Sequence, residues 1–397
     1  MDQHLFFFPE HQNGPLLGIG VQQEFICRHP NQFEELQSFL DANQECYVFG
    51  ALSYELKNCF EQLDSCNPEH IAFPLAHFWI PAALFKTSPT IQLIAGSSHT
   101  SYMKDANDIL QKISCNDTKL TFDFKERTTK ESYFERFAQV KNALQQGNIY
   151  ELNYCQEFYA EDAHIEDPFS LFSKLHKLTN APHAAFVQTP EHFVFCASPE
   201  RFLEKNGQIL RSEPIKGTAP RAQEPSLDSL YAEQLKTDPK ERAENIMIVD
   251  LVRNDLAQLA QKASVKVDEL CEIYSFNTVH QMISKISCQL KPDVNFSQIL
   301  KSCFPMGSMT GAPKIAAMQQ IDKIEDFQRG LYSGSIGLIE PNGNFNFNVV
   351  IRSLLYNREN NYLSCAVGSA ITIAAEPEKE YQECLLKANK LIHGIQA

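Results

Sequence analysis

The clearest periodic stretch of the chain is "TTKESYFERFAQVKNALQQGN", where Tyr133, Phe137, Val140 and Leu144 recur at i, i+4, i+7 and i+11. That spacing puts all four on one face of a helix. Thr128 and Glu131 offer a capping box at its start, and Gly147 a stop at its end. "DPKERAENIMIVDLVRNDLAQLA" predicts a second helix, "IAAMQQIDKIEDF" a helical stretch, and "PEKEYQECLLKANKLIHGI" a closing helix. Between them lie extended runs. "ECYVFGALSYEL" reads as a strand entering a turn or helix between Gly50 and Tyr54, and "IQLIAGS" as another strand. "HAAFVQTPEHFVFCASPERFLEKNGQILRSEPIKGT" reads as three strands, with turns at Thr189-Pro190 and Asn206-Gly207. "SGSIGLIEPNGNFNFNVVIRSLLYN" predicts a hairpin about Asn342-Gly343. Antiparallel runs with helices between them argue for an α+β fold rather than a doubly wound sheet.

Residues 1–125 are mostly short extended runs and loops. The polar segment "NDTKLTFDFKERTTK" marks a boundary, which divides the chain into an N-terminal lobe, 1–125, and a second domain, 126–397. With 397 residues and 43% hydrophobic content, the chain can bury one large core or two lobes sharing one. The net charge of −14, with no basic stripe or tail, excludes a nucleic-acid partner. An anionic substrate would therefore need positive charge gathered locally. The twelve cysteines form no CxxC pair and no zinc spacing. Cys155, Cys196, Cys303 and Cys365 sit among apolar residues, as buried thiols in a reducing compartment do. "MDQHLFFFPEHQ" lacks the basic start of a signal peptide, and "FPLAHFWIPAALF" is too short to span a bilayer. A cytoplasmic protein with no membrane partner is expected.

Several clusters could carry chemistry. In "SEPIKGTAPR", Lys216 lies between an apolar residue and a glycine, with Pro214 and Pro220 on either side. So stiff a setting suits a lysine that must point one way. Glu200, in "ASPERF", comes close to Lys216 if the intervening strands form a hairpin. The two could be an acid and a nucleophile, or simply a salt bridge. Two helices each carry Glu-x-x-Glu, at Glu241/Glu244 and Glu380/Glu383. Residues three apart share a helix face. Four carboxylates around one cavity would suit Mg²⁺, although two solvated helix faces read the same way. "PMGSMTGAPK" and "AVGSAIT" are small-residue turns. The first could hold an anion at a helix start, but Pro313 and its spacing rule out a Walker A loop.

Taken together, "SPERF", "PIKGTAPR", "AENIMIVDLVRNDL", "FPMGSMTGAPKIAAM", "RGLYSGSIG", "NVVIRS" and "EKEYQECLLKA", in this order, resemble the chorismate-binding enzyme family from about Tyr133 to the C-terminus. The resemblance implies two large antiparallel sheets packed face to face with helices outside, and Mg²⁺ as cofactor. Members that make anthranilate usually carry alanine at the Lys216 position. Members that aminate chorismate at ring carbon C4 carry lysine, and this chain is similar to those. The resemblance then implies that Lys216 attacks C2 as a neutral amine, its pKa lowered by burial, while Glu200 protonates the departing C4 hydroxyl. Ammonia, supplied by a glutamine amidotransferase on a separate chain, displaces the lysine. Glu244 and Glu383 match the metal ligands, with Glu241 and Glu380 beside them. Arg352 and Tyr332 match binders of the enolpyruvyl carboxylate. Gly368, Ser369 and Ala370 form a turn with backbone donors, and Thr218, His280, Ser308 and Lys387 line the cavity.

The chain departs from the family pattern in places. It has "YELNY" where members often show "YQVNL", so Glu151 brings an extra negative charge if that strand reaches the site. Glu157 replaces a usual arginine, Ser369-Ala370 alters a Gly-x-Gly turn, and Ala374-Ala375 stands where Asp-Ser often follows. The N-terminal lobe is short for the family, which puts end-product regulation in doubt. The alternatives are an anthranilate-forming member that happens to carry lysine, and a non-catalytic chorismate-binding subunit. Isochorismate and salicylate synthases are disfavoured, because their water-activating lysine is not seen in 150–156.

Overall fold

A computed structural model describes residues 3–114, 121–277 and 279–396. The stretch 115–120, in the polar segment between the two expected lobes, lies outside the described residues. Among the described residues, two antiparallel sheets of eleven and ten strands account for nearly all the extended chain. The first runs from the short edge strand Gly311–Ala312 through Glu151–Ala160, Tyr362–Thr372, Ser353–Asn357, His192–Ser198, His183–Gln188, Leu5–Phe8, Leu16–Ile19 and Ala83–Lys86 to Gln92–Gly96. The second runs from Ile215–Pro220 through Val279–Gln289, Ile209–Glu213, Arg201–Asn206, Phe345–Asn348, Ser335–Ile339, Val48–Leu52 and Ala76–Ile80 to Gln23–Cys27.

One core fills the space between the sheets: Phe6, Val187 and Cys196 of the first meet Phe49, Phe78 and Leu338 of the second. A second cluster covers the outer face of the first sheet, where Leu5, Phe7 and Phe186 pack with Phe172 and Leu391 from helices Pro168–Thr179 and Pro377–Gln396. Successive strand side chains alternate between faces. Since both faces of Leu5–Phe8 are covered, its sequence is continuously apolar instead of alternating. Strands from residues 1–125 are built into both sheets, so the described residues of the two segments share one core.

The periodic helix occupies Lys130–Gln145 and buries Tyr133, Phe137, Val140 and Leu144. Its cap is Thr129, which accepts from Ser132 N; the Thr128 hydroxyl is buried and donates to Asp326 instead. The stretch from His183 onward holds five strands, not three. Its unexpected break follows Ser198, where the chain leaves the first sheet for the second. It returns between Phe345–Asn348 and Ser353–Asn357. Glu200 lies at the first crossing and Arg352, with φ 52°, at the second. No helix among the described residues is long and apolar enough to cross a membrane.

Candidate active site

A cavity of about 560 Å³ opens between the sheets, and Lys216, Glu200, Arg352 and all four candidate metal-site glutamates line it. Lys216 reaches it through a bulge. Ile215 pairs with Ile283 but Thr218 pairs with Gln281, so three steps along one strand face two along the other. An extra residue bends a strand and re-aims a side chain. Gly217, at φ 88°, makes the bend possible. A Cβ there would also stand 3.0 Å from Glu241 Oε2 and 3.1 Å from Leu235 Cδ1, so the glycine lets helices Pro239–Leu259 and Pro225–Thr237 both approach the bulge.

Lys216 Nζ donates to Glu151 Oε1 at 2.7 Å, and the two side chains are 10% and 1% exposed. Burial works against the ammonium, but the carboxylates of Glu151, Glu244 and Glu200 prevail and raise the lysine pKa. The expected lowered pKa is therefore corrected, because the departure at Glu151 places a carboxylate on the amine. Glu151 is held from behind by Gly311, where a Cβ would lie 2.1 Å from the Glu151 carbonyl oxygen. Its second oxygen is buried without a hydrogen-bond partner.

Glu200 is buried, and Ser308 Oγ donates to its Oε1 at 2.6 Å. Burial pushes its carboxyl up to about 7, against the opposing pull of Ser308 and Lys216. A carboxyl poised there can hold a proton at neutral pH and give it up. The loop "PMGSMTGAPK" delivers Ser308, but it is buried and its Lys314 pairs with Asp255, so it is a brace and not an exposed anion loop.

Helix Pro239–Leu259 starts at Asp238, whose side chain accepts from Lys240 N and Glu241 N. That cap sets Glu241 and Glu244 in the first turns, facing Glu380 and Glu383 of Pro377–Gln396. Burial lifts the Glu244 carboxyl to about 8, and its Oε1 has no hydrogen-bond partner. Lys240 contacts Glu380 at 2.9 Å and Glu244 at 3.8 Å, and Lys387 contacts Glu383 at 2.6 Å. A buried carboxylate oxygen without a donor fits a hard divalent cation. Among the described residues no three of these carboxylates bring oxygens within 4.8 Å of one another. The set therefore suits an ion that completes its shell with water and substrate oxygens rather than one in an all-protein cage.

Opposite the acids stand unpaired cations. Among the described residues, the side chains of Arg352 and Lys390 make no hydrogen bond or ion pair, and burial lowers both pKa values. Tyr332 and Thr218 line the same cavity. Gly368, Ser369 and Ala370 also line it, but they lie inside strand Tyr362–Thr372 and not in a turn. That strand pairs along one edge with Glu151–Ala160, whereas its ladder to Ser353–Asn357 covers only Tyr362 to Ser364. The remaining edge thus faces the cavity, and Gly368 O accepts from Lys387 Nζ at 2.8 Å.

His280 is corrected. It lies outside the cavity lining, with its ring nitrogens 2.8 Å from Ser275 Oγ and 2.9 Å from Asp228 Oδ1. Its strand neighbours Val279 and Gln281 face the cavity instead, as strand alternation requires. Lys390, Lys240, Asn153 and Gln281 line the cavity without having been singled out from the sequence. Lys390 was within reach of the spacing argument, being seven residues, close to two turns, past Glu383 on a helix of 3.6 residues per turn.

Residues 3–393 match the family described as chorismate binding enzyme. The chain is 38% identical over 359 residues to aminodeoxychorismate synthase component 1 of Escherichia coli, covering 88% of this chain and 77% of that protein. It is 36% identical over 278 residues to the protein of the same name from Klebsiella aerogenes, covering 70% of this chain and 61% of that one. Among solved structures, anthranilate synthase component I from Streptococcus pneumoniae superposes with a TM-score of 0.81 at 22% identity, over 95% of this chain and 91% of that chain.

Proposed function

The chain belongs to the chorismate binding enzyme family, and from that premise we propose that it acts as aminodeoxychorismate synthase component 1, converting chorismate and ammonia to 4-amino-4-deoxychorismate. The observation that carries this reading is Lys216, bent by its bulge into the cavity that Glu200 also lines, with the Glu200 carboxyl pushed up to about 7 by burial. Anthranilate formation, the competing activity, is less supported, because the relatives at 38% and 36% identity from Escherichia coli and Klebsiella aerogenes are both aminodeoxychorismate synthase component 1.

Arg352 and Lys390, which line the cavity without an ion-pair partner among the described residues, would bind the carboxylates of the dianionic substrate. Lys216 loses its proton to Glu151, its contact at 2.7 Å, and attacks C2 as a neutral amine. The ring double bonds shift and the C4–O bond breaks. Glu200 gives its proton to the departing oxygen, which leaves as water. Ammonia attacks C4, the double bonds return, and the C2–N bond to Lys216 breaks. Glu244 and Glu383, with Glu241 and Glu380 beside them, would hold Mg²⁺, which supplies charge neutralisation at the ring carboxylate. A glutamine amidotransferase on a separate chain is the proposed ammonia source. The eleven described cysteines are free thiols, which supports a reducing, cytoplasmic setting.

The test is product identity by mass spectrometry after incubation of the purified chain with chorismate, Mg²⁺ and ammonium. A product with one hydroxyl replaced by amino and the enolpyruvyl group retained supports the reading. Anthranilate with released pyruvate overturns it.

A further inference from the structure

Three side chains converge at the edge of the second sheet opposite the strand that carries Lys216. His77 Nε2 stands 3.0 Å from Glu24 Oε2, and His4 Nε2 stands 3.5 Å from the same oxygen. One ligand atom from each lies within 4.8 Å of the others. The fold builds this meeting deliberately. Glu24 pairs with Trp79 and Ile26 with His77, so Glu24 and His77 are diagonal neighbours on one face of the edge ladder. His4 comes from the other sheet, one residue before Leu5–Phe8, and its carbonyl is held by Gly20 N at 2.8 Å. Trp79 walls the group from one side, with ring centroids 5.2 Å from His4 and 4.7 Å from His77. The other side is open, since the Glu24 side chain is 39% exposed.

Two imidazoles aimed at one carboxylate oxygen are one more than a hydrogen bond needs. Tetrahedral coordination at zinc bond lengths separates ligand atoms by about 3.4 Å, close to the contacts seen here. We infer that His4, Glu24 and His77 form a site for a divalent transition-metal ion of the zinc class, separate from the catalytic carboxylates. Two nitrogen donors and one carboxylate select such an ion over Mg²⁺, which prefers oxygen. The fourth position faces solvent. A bound ion joins the chain before the first sheet's Leu5–Phe8 to the outer ladder of the second sheet, so its role is a staple between sheets. It goes beyond the proposed catalytic function and does not depend on it.

The test uses the full chain, stripped with a chelator and titrated with Zn²⁺ or Co²⁺ in millimolar Mg²⁺. One equivalent should bind at micromolar metal and raise the melting temperature. Glu24→Gln and His4→Ala should each weaken binding roughly tenfold or more and remove the thermal shift, whereas Glu244→Gln should not. Both altered residues are less enclosed than His77, whose loss would disturb packing. The Co²⁺ spectrum should show d–d bands without thiolate charge transfer. No binding at micromolar metal, a thiolate band, or unchanged affinity in both site variants would each overturn the inference.

Discussion

Lys216 and Glu151 meet at 2.7 Å with both side chains almost wholly enclosed, so the proposed nucleophile rests as an ammonium locked to a carboxylate. Glutamine matches glutamate in size and shape, so an amide there is compatible with the packing around Glu151. Glu151→Gln should therefore leave an active enzyme. The carboxylate raises the lysine pKa, and attack requires the neutral amine. Removing it lowers that pKa, so the high-pH limb of the pH–rate profile, which the amine sets because it titrates above Glu200, should move to lower pH. An unmoved or upward-shifted limb would remove Glu151 from the proton path.

The same pair couples catalysis to stability. Breaking a buried ion pair from one side leaves an uncompensated charge and costs roughly 3–5 kcal/mol. Lys216→Ala should lose at least about a thousandfold in turnover and also destabilise the fold. The double variant Lys216→Ala/Glu151→Gln should recover much of the stability in a denaturant titration and none of the turnover. Recovery of neither would mean that the stability loss has another origin.

Glu200 must be protonated to act as the general acid. Its carboxyl titrates at about 7, below the raised lysine pKa, so the rate should climb with pH up to about 7 and level off above it, where loss of the Glu200 proton offsets the gain in neutral amine. Ser308 donates to the carboxylate and so lowers its pKa. Ser308→Ala should therefore raise that pKa and carry the levelling-off to higher pH, while Glu200→Gln should lose about 10²–10⁴ in kcat at every pH. A levelling-off that stays in place in Ser308→Ala would assign it to another group.

How much of this was legible in the sequence follows from where local pattern decides the structure. The helix over Lys130–Gln145 and the hairpin about Asn342-Gly343 were readable because periodicity and turn chemistry act within a few residues. The chain's two crossings between sheets were not readable, because Ser198-Pro199-Glu200 and 349–352 change sheets for reasons of tertiary packing. Those crossings nonetheless place Glu200 and Arg352 in the cavity, so the residues could be named while their geometry could not. His280 shows the limit most sharply. One step along Val279–Gln289 turns a side chain from the cavity to the far face, and a list of motif positions does not carry that parity. The sharing of both sheets by residues 1–125 was likewise invisible, since pairing partners lie hundreds of residues apart, as Leu5 and Gln188 do.

Arg352 is the cation whose burial most needs an anion. A charged hydrogen bond contributes about 1.5–3 kcal/mol, so Arg352→Gln should weaken chorismate binding roughly ten- to a hundredfold, read as KM or as a dissociation constant. Lys390→Met should act in the same direction with a smaller effect, since an ammonium cannot engage two oxygens at once. Unchanged binding in both variants would remove the carboxylates from this wall.

Metal affinity carries its own pH signature. With its carboxyl at about 8, Glu244 is largely protonated at neutral pH before the ion arrives. Coordination requires the carboxylate, so Mg²⁺ binding must expel that proton. Affinity should rise with pH up to about 8 and level off above it, and calorimetry in buffers of different ionisation enthalpy should detect proton release at pH 7. Glu244→Gln should abolish both the release and the tight binding. The sign is fixed by the burial that raises the carboxyl. If affinity were flat across this range, Glu244 would already be ionised in the free protein, and Lys240, at 3.8 Å, would be the cation holding it so.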